Sequence, residues 1–99
     1  MARFSVYRNP NEEGYLMDVQ ADLMAHLNTR LVVPLVPLSK APKPARTLNP
    51  VFTLEDVEHA MLTQYAAAIP AGELKREIAN LSSRRDEIVA ALDLLLQGF

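Results

Sequence analysis

Phe4-Ser5-Val6-Tyr7 alternates bulky and polar side chains with a period of two, the pattern of a strand with one buried face. Arg8 to Gly14 is dense in turn formers, and Tyr15-Leu16-Met17-Asp18-Val19 resumes an extended pattern, so the two runs predict an N-terminal hairpin with a long loop. Asp22 to Asn28 carries Leu23, Met24 and Leu27 at helical spacing over too few residues for more than a turn, which predicts a compact crossover. Arg30 to Leu38 is nearly continuous in apolar residues, as in a strand buried on both faces. Pro34 and Pro37 donate no ladder hydrogen bond, so they must sit at a bend, a bulge or an edge.

Ser39 to Pro50 holds three prolines among small and cationic residues and predicts an extended excursion with little core contact. Val51 to Leu54 and Val57 to Tyr65, joined by Glu55-Asp56, predict a second hairpin. Ala66 to Gly72 reads as a connection, and Leu74, Ile78 and Leu81 then recur at helical spacing. The strongest periodicity comes last. Ile88, Leu92, Leu95 and Phe99 form one stripe that Val89 and Leu96 widen, Ser83 with Asp86 fits a capping box, and Gly98 marks the end of the helix. Strands first and a helix last predict a mainly β fold: a bent antiparallel sheet or small barrel with a C-terminal α-helix packed against it.

Ninety-nine residues suit a single domain spanning 1–99, and 49% apolar with 22% charged residues suits a folded globular chain. Four methionines and a leucine-rich C-terminus supply more apolar surface than so small a domain hides easily, which predicts self-association. The absence of cysteine removes disulfides, thiolate zinc sites and thiol catalysis together. Neither a secretory leader nor a membrane-length apolar run is visible, so the expected location is the cytoplasm. A net charge of −2 argues against a generic nucleic-acid binder. Charge is uneven, however: between Leu23 and Leu54 stand Arg30, Lys40, Lys43 and Arg46 and no acid, a pattern that fits either solvated loops or a docking surface for an acidic partner.

Catalytic motifs are missing. His26 and His59 stand apart with no metal-ligand spacing, no sharp nucleophile turn exists, and the three glycines are isolated, which leaves no phosphate loop. Glu55 and Asp56 are adjacent in a turn and project differently, a poor acid/base pair. No metal or cofactor is expected. What remains is the helix tip, where an aromatic Phe99 behind Gly98 must fold back, pack across a dimer, or meet a partner.

Several segments together resemble the CcdB toxins. Asp18-Val19-Gln20-Ala21-Asp22-Leu23-Met24 and Asn28-Thr29-Arg30-Leu31-Val32-Val33-Pro34-Leu35 match the family's DVQSD and RxVxPL segments. Met61-Leu62-Thr63-Gln64, Ile69-Pro70, Leu81-Ser82 and the terminal helix with its penultimate Gly98 follow in the family's order, over essentially the whole chain. The resemblance implies an SH3-like bent sheet with a C-terminal helix, acting without covalent chemistry as a symmetric homodimer of a toxin–antitoxin module. It implies contact with the DNA gyrase A subunit, trapping gyrase on cleaved DNA, through Leu23, Met24, Asp93, Gln97, Gly98 and Phe99. It further implies a CcdA-type antitoxin whose disordered acidic segment binds the toxin and with which it represses its own operon. Arg8, Asn9, Pro10, Arg30, Lys40, Lys43 and Arg46 are the residues expected to receive that segment, because complementary charge speeds encounter. Some family members carry Asn in place of Asp93 and end Trp-Gly-Ile where this chain has Gln97-Gly98-Phe99, a change that bears on gyrase affinity more than on fold. Two other readings stay open: a messenger-RNA-cutting toxin of the MazF and Kid type on the same barrel, with Arg30 or His26 as the residues to test, and a relative kept only for antitoxin binding.

Overall fold

The computed structural model describes residues 2–99. Within them lie seven strands, β1 (Ser5–Arg8), β2 (Tyr15–Asp18), β3 (Thr29–Pro37), β4 (Val51–Leu54), β5 (Val57–Met61), β6 (Ala67–Pro70) and β7 (Glu77–Asn80), followed by one α-helix, α1 (Arg85–Gln97). All strand pairs are antiparallel, in the order β4-β5-β3-β2-β1-β7, with β6 also on β3. The mainly β, bent sheet with a C-terminal helix that the hydrophobic pattern predicts is the observed architecture.

The long strand β3 explains the bend. One of its edges meets β2 from Val32 to Leu35, while the other is shared, with Thr29–Val32 on β6 and Leu35–Pro37 on β5. Pro34 sits where that shared edge changes partner. Its carbonyl accepts from Leu62 N–H on that side, so the missing N–H faces the gap rather than the β2 ladder. Pro37 closes the strand.

Alternation along the strands buries both faces of the sheet. Phe4, Val6, Tyr15, Met17, Val33, Leu35, Phe52, Leu54 and Met61 meet Ile88, Ala91 and Leu92 of α1 in the main core. On the opposite face Tyr7, Leu16, Val32 and Leu74 form a smaller cluster against Ile69. Asn9 N–H to Gly14 C=O closes the first hairpin, and Gly14, at φ +111°, is where an added Cβ would stand 2.4 Å from the Leu35 carbonyl oxygen.

Five local expectations are corrected. Ala67–Pro70 is a strand rather than a connection, because the first half of β3 leaves an edge that only this segment covers. Glu77–Asn80 is a strand on the free edge of β1 rather than part of a helix: Leu74 enters the smaller cluster while Ile78 and Leu81 pack on the main core, so the three do not share one helical face. The strand expected over Val57 to Tyr65, β5, ends at Met61 with a 3-10 turn over Thr63–Tyr65 behind it. Helix α1 starts at Arg85 without a side-chain cap; Ser82–Arg84 is a 3-10 turn, and Asp86 and Glu87 alone supply the negative charge of the first turn. The 39–50 segment is also less detached than its prolines suggest. Asn49 is buried, donates to the Met61 carbonyl and accepts from Ala45 N–H, and buried Thr63 donates to the Leu48 carbonyl.

Candidate protein-docking surface

The helix ends as its glycine predicts. Gly98 adopts φ +84°, and its N–H donates to the Leu94 carbonyl at 3.0 Å, a left-handed cap that stops α1 and turns the chain outward. The apolar stripe therefore splits in two. Ile88 and Leu92 are core, whereas Leu95, Leu96 and Phe99 are 40%, 75% and 84% exposed. Asp93 is half-buried, and Gln97 Nε2 lies 3.5 Å from its carboxylate, at the outer limit of a hydrogen bond, so both keep polar atoms free. The helix packs beside the Thr63–Tyr65 turn, where Tyr65 is itself largely exposed.

Leu23 and Met24 occupy a 3-10 turn over Asp22–Met24 between β2 and β3, and none of its residues is buried. Leu23 and Leu27 point their apolar surface at solvent with Met24. Polar groups hold this turn instead: Asp22 accepts from Arg3 N–H at 2.8 Å, and Gln20 bonds to both the turn and β3. Within one chain no hydrogen bond or shared core cluster joins the Leu23–Met24 turn to the helix tip; both are surface features.

The cationic residues divide differently from their order in sequence. Arg30, expected on the surface, is 1% exposed and bound to Asp18, with Nε and Nη2 at 2.7 and 2.6 Å from the same carboxylate oxygen. It faces the smaller cluster because position 30 shares the alternation of Val32, and its charge is spent inside the fold. The Nη2 approach is too oblique for an aligned hydrogen bond, making it the one buried side-chain nitrogen without an acceptor among the described residues. Lys40 pairs with Glu13 at the surface, and Lys43 and Arg46 are exposed without an ion pair among the described residues.

Arg8 binds Glu55 through Nη2 at 3.0 and 3.2 Å, beneath a clasp in which the Tyr15 hydroxyl also donates to Glu55. The Tyr15 hydrogen bond, with the Arg8 charge behind it, holds the Glu55 carboxyl below its ordinary range, while burial and the Glu55 carboxylate push the Tyr15 phenol up. Glu55 and Asp56 form this hairpin turn with φ of +50° and +66°, and the clasp anchors the first of these left-handed residues. Asn9 is half-buried and caps its own loop by accepting from Asn11 N–H, and Pro10 is exposed beside it. Arg8 and Pro10 border an open cleft of about 590 Å³ whose far wall brings Lys75 and Arg76, which charge patterning alone does not single out. A second groove, about 480 Å³, runs over Leu16, Val32, Leu62, Tyr65 and Ile69, with Asn9 and Lys40 on its rim.

His59 is buried with its ring edge on Tyr15 and Nδ1 2.8 Å from the Val57 carbonyl, a packed side chain rather than a presented one. Among the described residues no three His, Asp or Glu side chains are gathered to hold a metal, and no helix is long and apolar enough to cross a membrane. The exposed features are thus apolar tips and charged loops suited to contact with another macromolecule. A family model described as CcdB protein matches residues 3–98. Matched over nearly its full length, with the sheet and terminal helix in place, the chain belongs to the CcdB family and is a toxin of a toxin–antitoxin module.

Proposed function

We propose that this protein acts in the cytoplasm as a homodimeric poison of DNA gyrase: it binds the A subunit through the helix tip and the Leu23–Met24 turn and holds the enzyme on cleaved DNA. The observation that carries this reading is the tip itself, where Phe99 stands 84% exposed beyond a capped helix end with Leu96 beside it, and Leu23 is equally exposed on its turn. An apolar side chain so placed on a 99-residue chain gains most by entering a partner's pocket. Asp93, Gln97 and Gly98 supply the polar and backbone contacts around it. The toxin performs no covalent step. Dimerisation is supported by the further exposed apolar residues Leu27, Tyr65 and Leu95.

Arg8, Asn9, Pro10, Lys40, Lys43 and Arg46 are assigned to an acidic antitoxin, with which the toxin represses its own operon. Arg30 is left out of that surface and acts from the interior. An RNA-cutting role is disfavoured by the same fact, because a buried Arg30 cannot reach a phosphate, and His26 lies alone on an exposed turn.

The test is a supercoiling assay with purified gyrase, read together with the amount of covalently cleaved DNA. Inhibition with accumulated cleavage supports the reading, and growth arrest confined to hosts with sensitive gyrase extends it to cells. Unimpaired supercoiling at high toxin concentration would reject it in favour of a relative that only binds antitoxin.

A further inference from the structure

The Leu23–Met24 turn poses a physical problem, since a loop without a buried residue has no hydrophobic anchor and yet must present two side chains in one geometry. Its local bonds, Met24 N–H to Ala21 C=O and Ala25 N–H to Asp22 C=O, shape the turn but do not tie it to the sheet. Asp22 is held at one end by Arg3 N–H, ahead of β1, and the tie from the Met24 end of the turn to β3 is a single side chain. Gln20 Oε1 accepts from Leu31 N–H of β3 at 2.9 Å, and Gln20 Nε2 donates to the Met24 carbonyl at 3.0 Å. Its own N–H is fixed on buried Asp18 Oδ1 at 3.0 Å, which sets where the side chain starts.

The chemistry of the bridge is specific to an amide. Leu31 N–H lies on the β2 side of β3, where the Leu31 carbonyl already accepts from Val19 N–H, while the Val19 carbonyl is taken by Arg3 Nε at 3.1 Å. An acceptor must therefore come from a side chain. The Met24 carbonyl already accepts from Leu27 N–H at 3.1 Å within the turn, and its second lone pair is open to a donor from the sheet side. One group must offer an acceptor to β3 and a donor to the turn, and reversing the amide would set N–H against N–H and oxygen against oxygen. Glutamate supplies only the first half and repels the Met24 carbonyl; methionine matches the length and supplies neither.

We propose that Gln20 is a positioning residue for the gyrase contact, holding Leu23 and Met24 in their binding geometry without touching gyrase; the proposal rests on the gyrase reading above. Loss of the bridge lets the turn sample other conformations, and binding must then order it. With two hydrogen bonds lost, Gln20→Met weakens affinity for the gyrase A subunit by about tenfold. Gln20→Glu, which keeps the β3 bond, weakens it less.

The experiment measures binding of purified gyrase A subunit to the full-length protein, to Gln20→Met, to Gln20→Glu, to the double variant Leu23→Ala/Met24→Ala, and to the triple variant that combines it with Gln20→Met. Amide hydrogen exchange at Leu31 and residues 22–27 is followed in parallel. The expected result is a loss on Gln20→Met that vanishes in the Leu23→Ala/Met24→Ala background, with faster exchange confined to the turn and Leu31. A merely structural role would give the same loss in both backgrounds. Affinity within twofold of the parent, or an equal loss in both backgrounds, overturns the proposal. If the parent binds gyrase but Leu23→Ala/Met24→Ala is harmless, the assigned contact is wrong and the proposal falls with it. No binding by the parent rejects the gyrase reading itself. Should Gln20→Met fail to fold, Gln20→Glu carries the same comparison.

Discussion

Arg30→Met is the most discriminating single change available in this fold. Arg30 and Asp18 are 1% and 0% exposed, and two guanidinium nitrogens lie within 2.7 Å of one carboxylate oxygen. Methionine fills much of the apolar stem between Val32 and the facing Ile69 but leaves Asp18 with a buried, uncompensated charge. Removing one partner of such a pair costs about 3–5 kcal/mol. The bond that Asp18 Oδ1 keeps from Gln20 N–H holds the cost near the lower end. For a domain of this size, stable by about 5–15 kcal/mol, that is a large share of the total. In urea, at equal protein concentration so that association is held constant, the midpoint should fall by about 1–3 M. Asp18→Asn alone should cost a similar amount by stranding the guanidinium. The Asp18→Asn/Arg30→Met double variant keeps an acceptor for Gln20 and strands no charge, so it should recover most of the loss. A cost below about 1 kcal/mol for Arg30→Met, or losses that simply add in the double variant, would refute the view that this pair acts as one buried unit.

Deleting Gln97 to Phe99 removes the exposed last residue of α1, its Gly98 cap and Phe99, and should abolish gyrase inhibition while leaving the urea midpoint nearly unchanged; a truncated protein that still inhibits would place the contact elsewhere. Lys43→Glu/Arg46→Glu reverses two exposed, unpaired cations and should slow association with an acidic antitoxin segment by about tenfold at low salt, converging with the parent at high salt, whereas Arg30→Met measured on folded protein should not change that rate. Because the folded pKa of Glu55 is depressed, its clasp contributes stability above the ordinary carboxyl pKa of 4.5 and loses it as pH falls through the lower folded value. The stability difference between parent and Glu55→Gln should therefore be flat near neutrality and vanish in acid, as urea midpoints across that range would record.

Much of the fold was legible before any coordinates. The first hairpin, the proline-bearing central strand, the Glu55-Asp56 turn and the terminal helix with its Gly98 cap all follow from alternation, turn residues and helical period, since each is decided within a few neighbouring residues. β6 and β7 were not legible. Ala67-Ala68-Ile69-Pro70 has weak strand character, and its state is set by the vacant edge of β3; Glu77–Asn80 is likewise recruited by β1, dozens of residues earlier.

The candidate surface divides along the same line. That Leu23, Met24, Leu96 and Phe99 are apolar and sit at ends and turns is plain in one dimension, and so is the cluster of cations from Arg30 to Arg46. Which of those cations face solvent is not, because burial depends on which side of a strand a residue takes and on what that side packs against. Position 30 falls on the face that Val32 and Ile69 close, so its charge serves Asp18 instead of a partner. Gln20, unremarkable as a residue type, gains its importance only when β3 brings Leu31 N–H to one end of its amide and the turn brings the Met24 carbonyl to the other. Local pattern determined the elements and the chemistry available on them; long-range pairing decided edge strands, burial and the hold on the docking turn, because those depend on contacts that no neighbouring residue encodes.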